Sequence, residues 1–271
     1  MKKRLPTLIL TLCFLIGLAL LLYPQVSNWW NARHASHAIV DYDAAKNMLS
    51  AADYSQLFRK AENYNEQIRQ TDFPFMYHEK VAGYDEILNP DGSGMMGYIT
   101  IEKINVQLPI YHGTSEGVLQ KAVGHLTGSS LPTGGKGNHC VLSAHRGLPS
   151  AKLFSDLDRL REGDTFVLTV LDRQLHYAVD QILIVEPQDV EPLYPQADED
   201  YCTLITCTPY GVNSHRMLVR GRRVSVQKQE EPVVQDDAIM LPPYTAAGLL
   251  LLPLTVAALI PTRKNLWRAQ K

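Results

Sequence analysis

Residues 203–221 read TLITCTPYGVNSHRMLVRG. The run Thr203-Leu204-Ile205-Thr206 has the β-branched, apolar texture of a strand, and Cys207 ends it. Thr208-Pro209-Tyr210-Gly211 then stops the strand, because Pro brings no amide donor and Gly favours a turn. A second strand-like run begins at Met217-Leu218-Val219. The stretch therefore reads strand, turn, strand. A hairpin through Pro209–Ser214 brings Arg216 back beside Cys207 and puts the thiol at a strand's exit, on the rim of a sheet.

The same texture extends upstream as far as Met96. GYITI (97–101), VQLPIY (106–111), CVLSA (140–144), TFVLTV (165–170), LHYAV (175–179) and QILIVE (181–186) precede TLITC and MLVRG. Turn signals separate them, with two expected helical interruptions at Ser115–Val123 and Ala151–Leu160. Eight short strands with few helices predict a mainly β domain. A closed eight-stranded barrel is preferred to a sandwich, because closure removes edges. Upstream, residues 41–70 lack Pro and Gly and predict one or two amphipathic helices. Thr71–Gly94, with Asp72-Phe73-Pro74-Phe75 and Asn89-Pro90-Asp91-Gly92, reads as loops.

Both ends of the chain are apolar. No charge occurs from Leu5 to Ala32, after Lys2, Lys3 and Arg4, and none from Ala238 to Thr262, before Arg263 and Lys264. A bilayer core needs about 20 apolar residues as a helix. Basic residues beyond the outer end of each run put both termini in the cytoplasm and the middle outside. A cleaved signal peptide is the alternative for the first run and a lipid-anchor signal for the second. Ser36-His37-Ala38 lies far beyond the first apolar run, and the basic tail favours a stop-transfer span for the second. The expected organisation is a cytoplasmic tip and anchor at 1–32, a helical segment and loop at 33–95, and the barrel at 96–228. A linker at 229–237, a second span at 238–262 and a cytoplasmic tail at 263–271 follow.

Net charge is −2, from 26 basic and 28 acidic residues, with no basic block in the central region. That excludes a nucleic-acid partner from the expectations and leaves the bilayer as one. Of four cysteines, Cys13 lies in the first apolar run, and three lie in the exported part, an odd number that predicts at least one free thiol. No C-x-x-C or H-E-x-x-H spacing occurs, so neither a metal nor another cofactor is expected.

Cys207 is the candidate nucleophile. A core cysteine is commoner in general, but a thiol at a strand exit meets substrate. His145 ends a similar run, Val141-Leu142-Ser143-Ala144, ahead of Arg146-Gly147. Among nine histidines it is merely favoured; His112 and His125, beside glycines, read as hydrogen-bonded turn residues. Arg216 by spacing alone reads as a surface charge.

TLITCTPYGVNSHRMLVRG, together with LSAHRGLPSAKLFSDL (142–157) and MGYITIEKINVQLPIYHGTSEGVLQKAVGHLTGSSLPTGG (96–135), closely resembles the class C, pilin-polymerising sortases. The likeness covers about Met96 to Arg222. It implies the eight-stranded sortase barrel, with Cys207 as nucleophile, His145 as acid/base and Arg216 as the cationic group beside them. It also implies a reaction: cleavage of a Leu-Pro-x-Thr-Gly-like signal between Thr and Gly, then transfer of the acyl group to a lysine amine of another pilin. The chemistry is coherent, because a thiol is mostly protonated at neutral pH, and neighbouring cations favour the thiolate and the oxyanion.

Class C sortases carry a lid of Asp-Pro-aromatic sequence whose acid pairs with the catalytic arginine. Here Phe73 is inserted, giving Asp72-Phe73-Pro74-Phe75. The expectation is a lid with Asp72 facing Arg216 and either Phe73 or Phe75 over Cys207. The alternative is a loop whose rings pack on the barrel. Cys140 and Cys202 each lie five residues before His145 and Cys207. If those two strands are parallel neighbours, the sulfurs are either disulfide-bonded or packed as free thiols. Competing functions are a sortase that anchors proteins to cell-wall peptide and a catalytically silent pilus scaffold. A papain-like protease fits poorly, since the cysteine follows a strand.

Overall fold

The structure, a computed structural model, describes residues 4–77 and 81–225. The expected linker, second span and tail (229–271) lie outside the described residues.

Eight strands close into a barrel in the order β1-β2-β3-β4-β7-β8-β6-β5. They are β1 (Met95–Ile101), β2 (Val106–His112), β3 (Val123–His125), β4 (Asn138–Ser143), β5 (Thr165–Val170), β6 (Arg173–Val185), β7 (Asp200–Thr208) and β8 (His215–Arg223). β2 and β3 are parallel, as are β4 and β7, while the remaining pairs are antiparallel. Closure leaves no free edge, which is the physical advantage of a barrel over a sandwich.

The number of strands matches the expectation, but two of them differ. LHYAV and QILIVE form one long strand, β6, whose register slips between Val179 and Gln181. A bulge there lets one extra residue sit in the ladder, and in the sequence it looks like a break. The eighth strand is the three-residue β3, at the end of the stretch expected to be helical. Only Glu116–Leu119 of that stretch is helix (α4). Of Ala151–Leu160, only Leu157–Arg159 winds, as a single 3₁₀ turn.

Side-chain alternation sorts the central strands into two faces. Cys140, Leu142, Cys202, Leu204, Met217 and Val219 point into the barrel and join its main core. Val141, Ile205 and Leu218 point outward and form a second cluster with Leu193. β7 is therefore buried on both faces, apart from its first residue and Cys207. Its near-continuous apolar run follows from its place between β4 and β8, with the β6–β7 connection laid across its outer side.

Helix α1 (Arg4–Asn47) runs unbroken through Pro24 and past the anchor boundary expected at residue 32. It is long and apolar enough to cross a membrane. Its last turns are fastened to the barrel by Tyr42, whose hydroxyl donates to Met96 O (3.0 Å) and accepts from Leu171 N (2.9 Å). α2 (Ala51–Arg69) starts at a capping box in which Ser50 and Asp53 satisfy each other's amides. It buries Phe58, Ala61, Tyr64, Asn65 and Ile68. The Asn65 amide clamps the loop before β4, donating to Leu131 O and accepting from Leu131 N. These anchorages fix the start of residues 72–77, which cross the outer wall.

Candidate active site

β4 and β7 place two chain exits side by side. Their parallel register runs from Asn138↔Asp200 to Ser143↔Ile205. It continues one step further, with Ala144 N donating to Ile205 O (3.1 Å) and Thr206 Oγ1 donating to Ala144 O (2.9 Å). His145 follows on one strand and Cys207 on the other. Across the β7–β8 hairpin, Cys207 lies directly opposite Arg216. Residues facing each other across an antiparallel pair project to the same side, so thiol and guanidinium share a face. The hairpin expected from residues 203–221 thus delivers the predicted juxtaposition.

All three side chains line one cavity of about 450 Å³. Its floor is apolar, formed by Ile205 and Leu218, and the β6–β7 connection walls it with Val190 and Leu193. By the same alternation that makes Ile205 outward-facing, Cys207 is outward-facing too. The cavity therefore sits on the barrel's outer wall near one end. Further along the same outer face, buried His139 bonds to Thr203 Oγ1 (2.7 Å) and to Tyr194 O (3.2 Å), tying the wall to β4 and β7. Burial drives its pKa down to about 4, so this imidazole is neutral structural material.

Cys207 and His145 are partly exposed. His145 Nε2 is sealed from solvent without a hydrogen bond, and the Glu116 carboxylate lies 3.7 Å away, an ion-pair distance but too long for a hydrogen bond. Glu116, from α4, was not singled out in the sequence, and nothing in its local spacing marks it. Arg216 Nη1 donates to Asn213 O (3.2 Å) and His215 O (3.1 Å). Among the described residues no carboxylate pairs with it.

That observation corrects the expected lid geometry. Asp72 is exposed and does not reach Arg216. Phe73 adopts a left-handed backbone (φ 52°), and its carbonyl accepts from Met76 N and Tyr77 N to start the one-turn helix α3 (Pro74–Tyr77). The inserted residue is spent on this turn, which leaves Asp72 and the 64%-exposed Phe73 outside. Pro74 is buried, and Phe75 lines the cavity, its ring edge-on to Tyr194 at 5.4 Å. The segment lies so close to the barrel that a Cβ on Gly128 would stand 2.5 Å from Pro74 O. The remaining pair, Cys140 and Cys202, face each other in register inside the barrel as free, buried thiols. Burial holds the Cys202 thiol well above its ordinary range. Among the described residues no cluster suited to a metal occurs. Two wider clefts, of about 890 and 830 Å³, contain none of Cys207, His145 and Arg216.

A sortase-domain family model matches residues 99–224. Sortase D of Bacillus subtilis (strain 168) is 30% identical over 139 residues, covering 50% of this chain and 67% of the relative. Among solved structures, sortase C1 of Streptococcus agalactiae is 46% identical, with a TM-score of 0.64 over 70% of this chain and 99% of that one. Sortase C of Streptococcus pneumoniae is 44% identical, with a TM-score of 0.63 over 70% of this chain and 97% of that one. Likeness on this scale, carried by nearly the whole length of both solved chains, makes the assignment: the protein belongs to the sortase family of membrane-associated cysteine transpeptidases.

Proposed function

We propose that this transpeptidase joins pilin subunits, with Cys207 as nucleophile, His145 as acid/base and Arg216 as oxyanion donor. The observation that carries the reading is the direct pairing of Cys207 with Arg216 beside the chain exit bearing His145, in one apolar-floored cavity. The Cys207 thiolate attacks the threonine carbonyl of a Leu-Pro-x-Thr-Gly-like signal. The oxyanion so formed takes hydrogen bonds from Arg216, a contribution of about 3 kcal/mol for one such donor. Collapse breaks the Thr–Gly bond, and His145 protonates the departing amine. A lysine amine of a second pilin then attacks the thioester, gives its proton to His145 and releases Cys207. The apolar floor suits the Leu-Pro part of the signal.

Pilin is the preferred substrate because the likeness is to class C enzymes. The solved Streptococcus pneumoniae sortase C was itself described in connection with pilin substrate specificity. In this reading Phe75 is the lid, α1 is the anchor with the barrel outside the cell, and 96–228 is the catalytic domain. The test is incubation with purified candidate pilins, comparing wild type with Cys207→Ala. A covalent ladder from wild type only is expected. Hydrolysed or wall-peptide-linked products without a ladder would remove the pilin-joining claim. A ladder from Cys207→Ala would remove the nucleophile assignment.

A further inference from the structure

The barrel is attached to α1 with a definite polarity. Ser27 Oγ and Asn31 Nδ2 both donate to Ser150 O, at 2.9 and 2.6 Å. Ser150 belongs to the loop that leaves His145, and that loop is folded back on the site. Phe154 N donates to His145 O (3.2 Å) and Gly147 N to Ser155 Oγ (3.2 Å). Gly147 also lies against the Tyr210 ring of the β7–β8 turn, where a Cβ would stand 3.0 Å away. The opposite end of the barrel is held much further along the same helix. Leu171, in the β5–β6 turn, donates its amide to Tyr42. That turn lies at the far end from Cys207, since β6 pairs with β8 from Val185↔Arg216 to Tyr177↔Arg223 and continues on to Arg173.

The two attachments can be measured against a bilayer. At 1.5 Å per residue, Tyr42 lies about 20 Å further along α1 than Ser27 and Asn31. An uncharged stretch opens at Leu5, and about 20 residues fill a hydrocarbon core. The core's outer boundary thus falls just before Ser27. Tyr23, Val26, Trp29 and Trp30 are each more than half exposed, although the helix packs on the barrel from there onward. Tyr and Trp concentrate at the membrane–water interface, and Arg33, the first charge after the run, lies over the Trp29 ring. Ser27 and Asn31 therefore sit at headgroup level, and so does the loop they hold.

We infer that the loop 146–152 is a second membrane contact, seated in the lipid headgroup layer, so that the catalytic end of the barrel faces the bilayer. The inference rests on the reading of α1 as the membrane span. Pro149 is exposed at the tip of this loop, beside partly buried Leu148 and exposed Lys152, a mixture suited to an interface. The consequence concerns substrate: the cavity receives peptide that emerges close to the membrane surface, as from a protein still held in the same bilayer. Free peptide must instead diffuse into the headgroup layer.

The test uses the full chain in phosphatidylcholine–phosphatidylglycerol vesicles. Pro149→Cys and Asp172→Cys are each made in a Cys13→Ser, Cys207→Ala background, where the remaining Cys140 and Cys202 are buried. Each is labelled with a small environment-sensitive fluorophore, and lipids bearing a headgroup nitroxide are added. The label at 149 is expected to be quenched severalfold more than the label at 172. Equal quenching in chains that survive an alkaline carbonate wash, and whose α1, labelled separately at Leu15→Cys, is quenched by acyl-chain nitroxides, would overturn the inference and leave the anchor standing. Chains stripped from vesicles by that wash would overturn the anchor, and the inference with it.

Discussion

Gly128→Ala tests whether the segment 74–75 covers the thiol. Gly128 has φ +91°, and an added Cβ would meet Pro74 O at 2.5 Å, Pro74 C at 2.9 Å and Phe75 Cα at 3.0 Å. All three are backbone atoms, so no side chain can swing aside and the segment itself must move. Against this, the segment is held by the buried Pro74 and by half-buried Phe75 against Tyr194. An edge-on aromatic pair adds about 1 kcal/mol to what burial supplies, giving a hold on the order of 2–3 kcal/mol. A clash that removes about 1.4 kcal/mol of that hold raises the open population tenfold. Modification of Cys207 by a thiol reagent is then expected to accelerate roughly tenfold, followed by mass spectrometry on the Cys207 peptide. A left-handed alanine is costly in itself, by about 1–2 kcal/mol. Gly163→Ala separates the two effects, because Gly163 has φ +90° with nothing within 4 Å of its Cβ position. It should lower the melting temperature without changing thiol reactivity. A folded Gly128→Ala protein that reacts at the wild-type rate would refute the claim that this segment shields the sulfur.

Three further outcomes are expected. Tyr42→Phe leaves Leu171 N and Met96 O without their buried partner, costing about 2 kcal/mol and lowering Tm by several degrees in a thermal melt. His139 has a folded pKa of about 4 against 6.5 unfolded, so its contribution is full above pH 6.5 and is lost as pH falls towards 4. That amounts to about 3 kcal/mol, and denaturant titrations of His139→Gln should show a flatter acid limb. Asp200, pushed up by burial, acts with the opposite sign, so the difference between the two proteins isolates the histidine. For Cys140 and Cys202, the unreduced chain should have the mass of the fully reduced one, and both thiols should react only after unfolding. A mass two hydrogens lighter would show a bridge instead.

What was legible in the sequence was what local chemistry dictates. Pro209 and Gly211 stop β7 wherever the strand packs, so a hairpin returning Arg216 towards Cys207 follows from residues 203–221, whereas a role for Arg216 comes only with the family resemblance. The parallel pairing of β4 with β7, posed as a condition for two cysteines to meet, is met in register at Cys140↔Cys202. The bulge in β6 and the brief β3 were not legible, because each depends on neighbouring strands rather than on its own residues. Val123-Gly124-His125 has no strand signal of its own; three residues pair only because β2 and β4 lie on either side. Likewise, nothing near Glu116 announces that α4 brings its carboxylate to His145.

The inserted Phe73 shows why a motif does not carry its geometry with it. An acid and an aromatic ring on either side of a proline can reach two targets only if the chain between them has one fixed path. Adding a residue gives the chain a choice between moving the acid and moving the ring. Here the ring lines the cavity and the acid lies in solvent, because the ring has more to lose. Phe75 and Pro74 bury apolar surface against Tyr194 and Gly128, whereas an exposed ion pair between Asp72 and Arg216 would contribute at most about 1 kcal/mol. Packing therefore decides the register and the acid is displaced into solvent. Arg216 is left bonded to two backbone carbonyls, without a carboxylate partner among the described residues. In this enzyme the hold on the segment is thus apolar, so added salt should leave unchanged the ratio of Cys207 modification rates in wild type and Gly128→Ala, in which salt effects on the thiol itself cancel. A lid latched by an ion pair would instead loosen as the ionic strength rose.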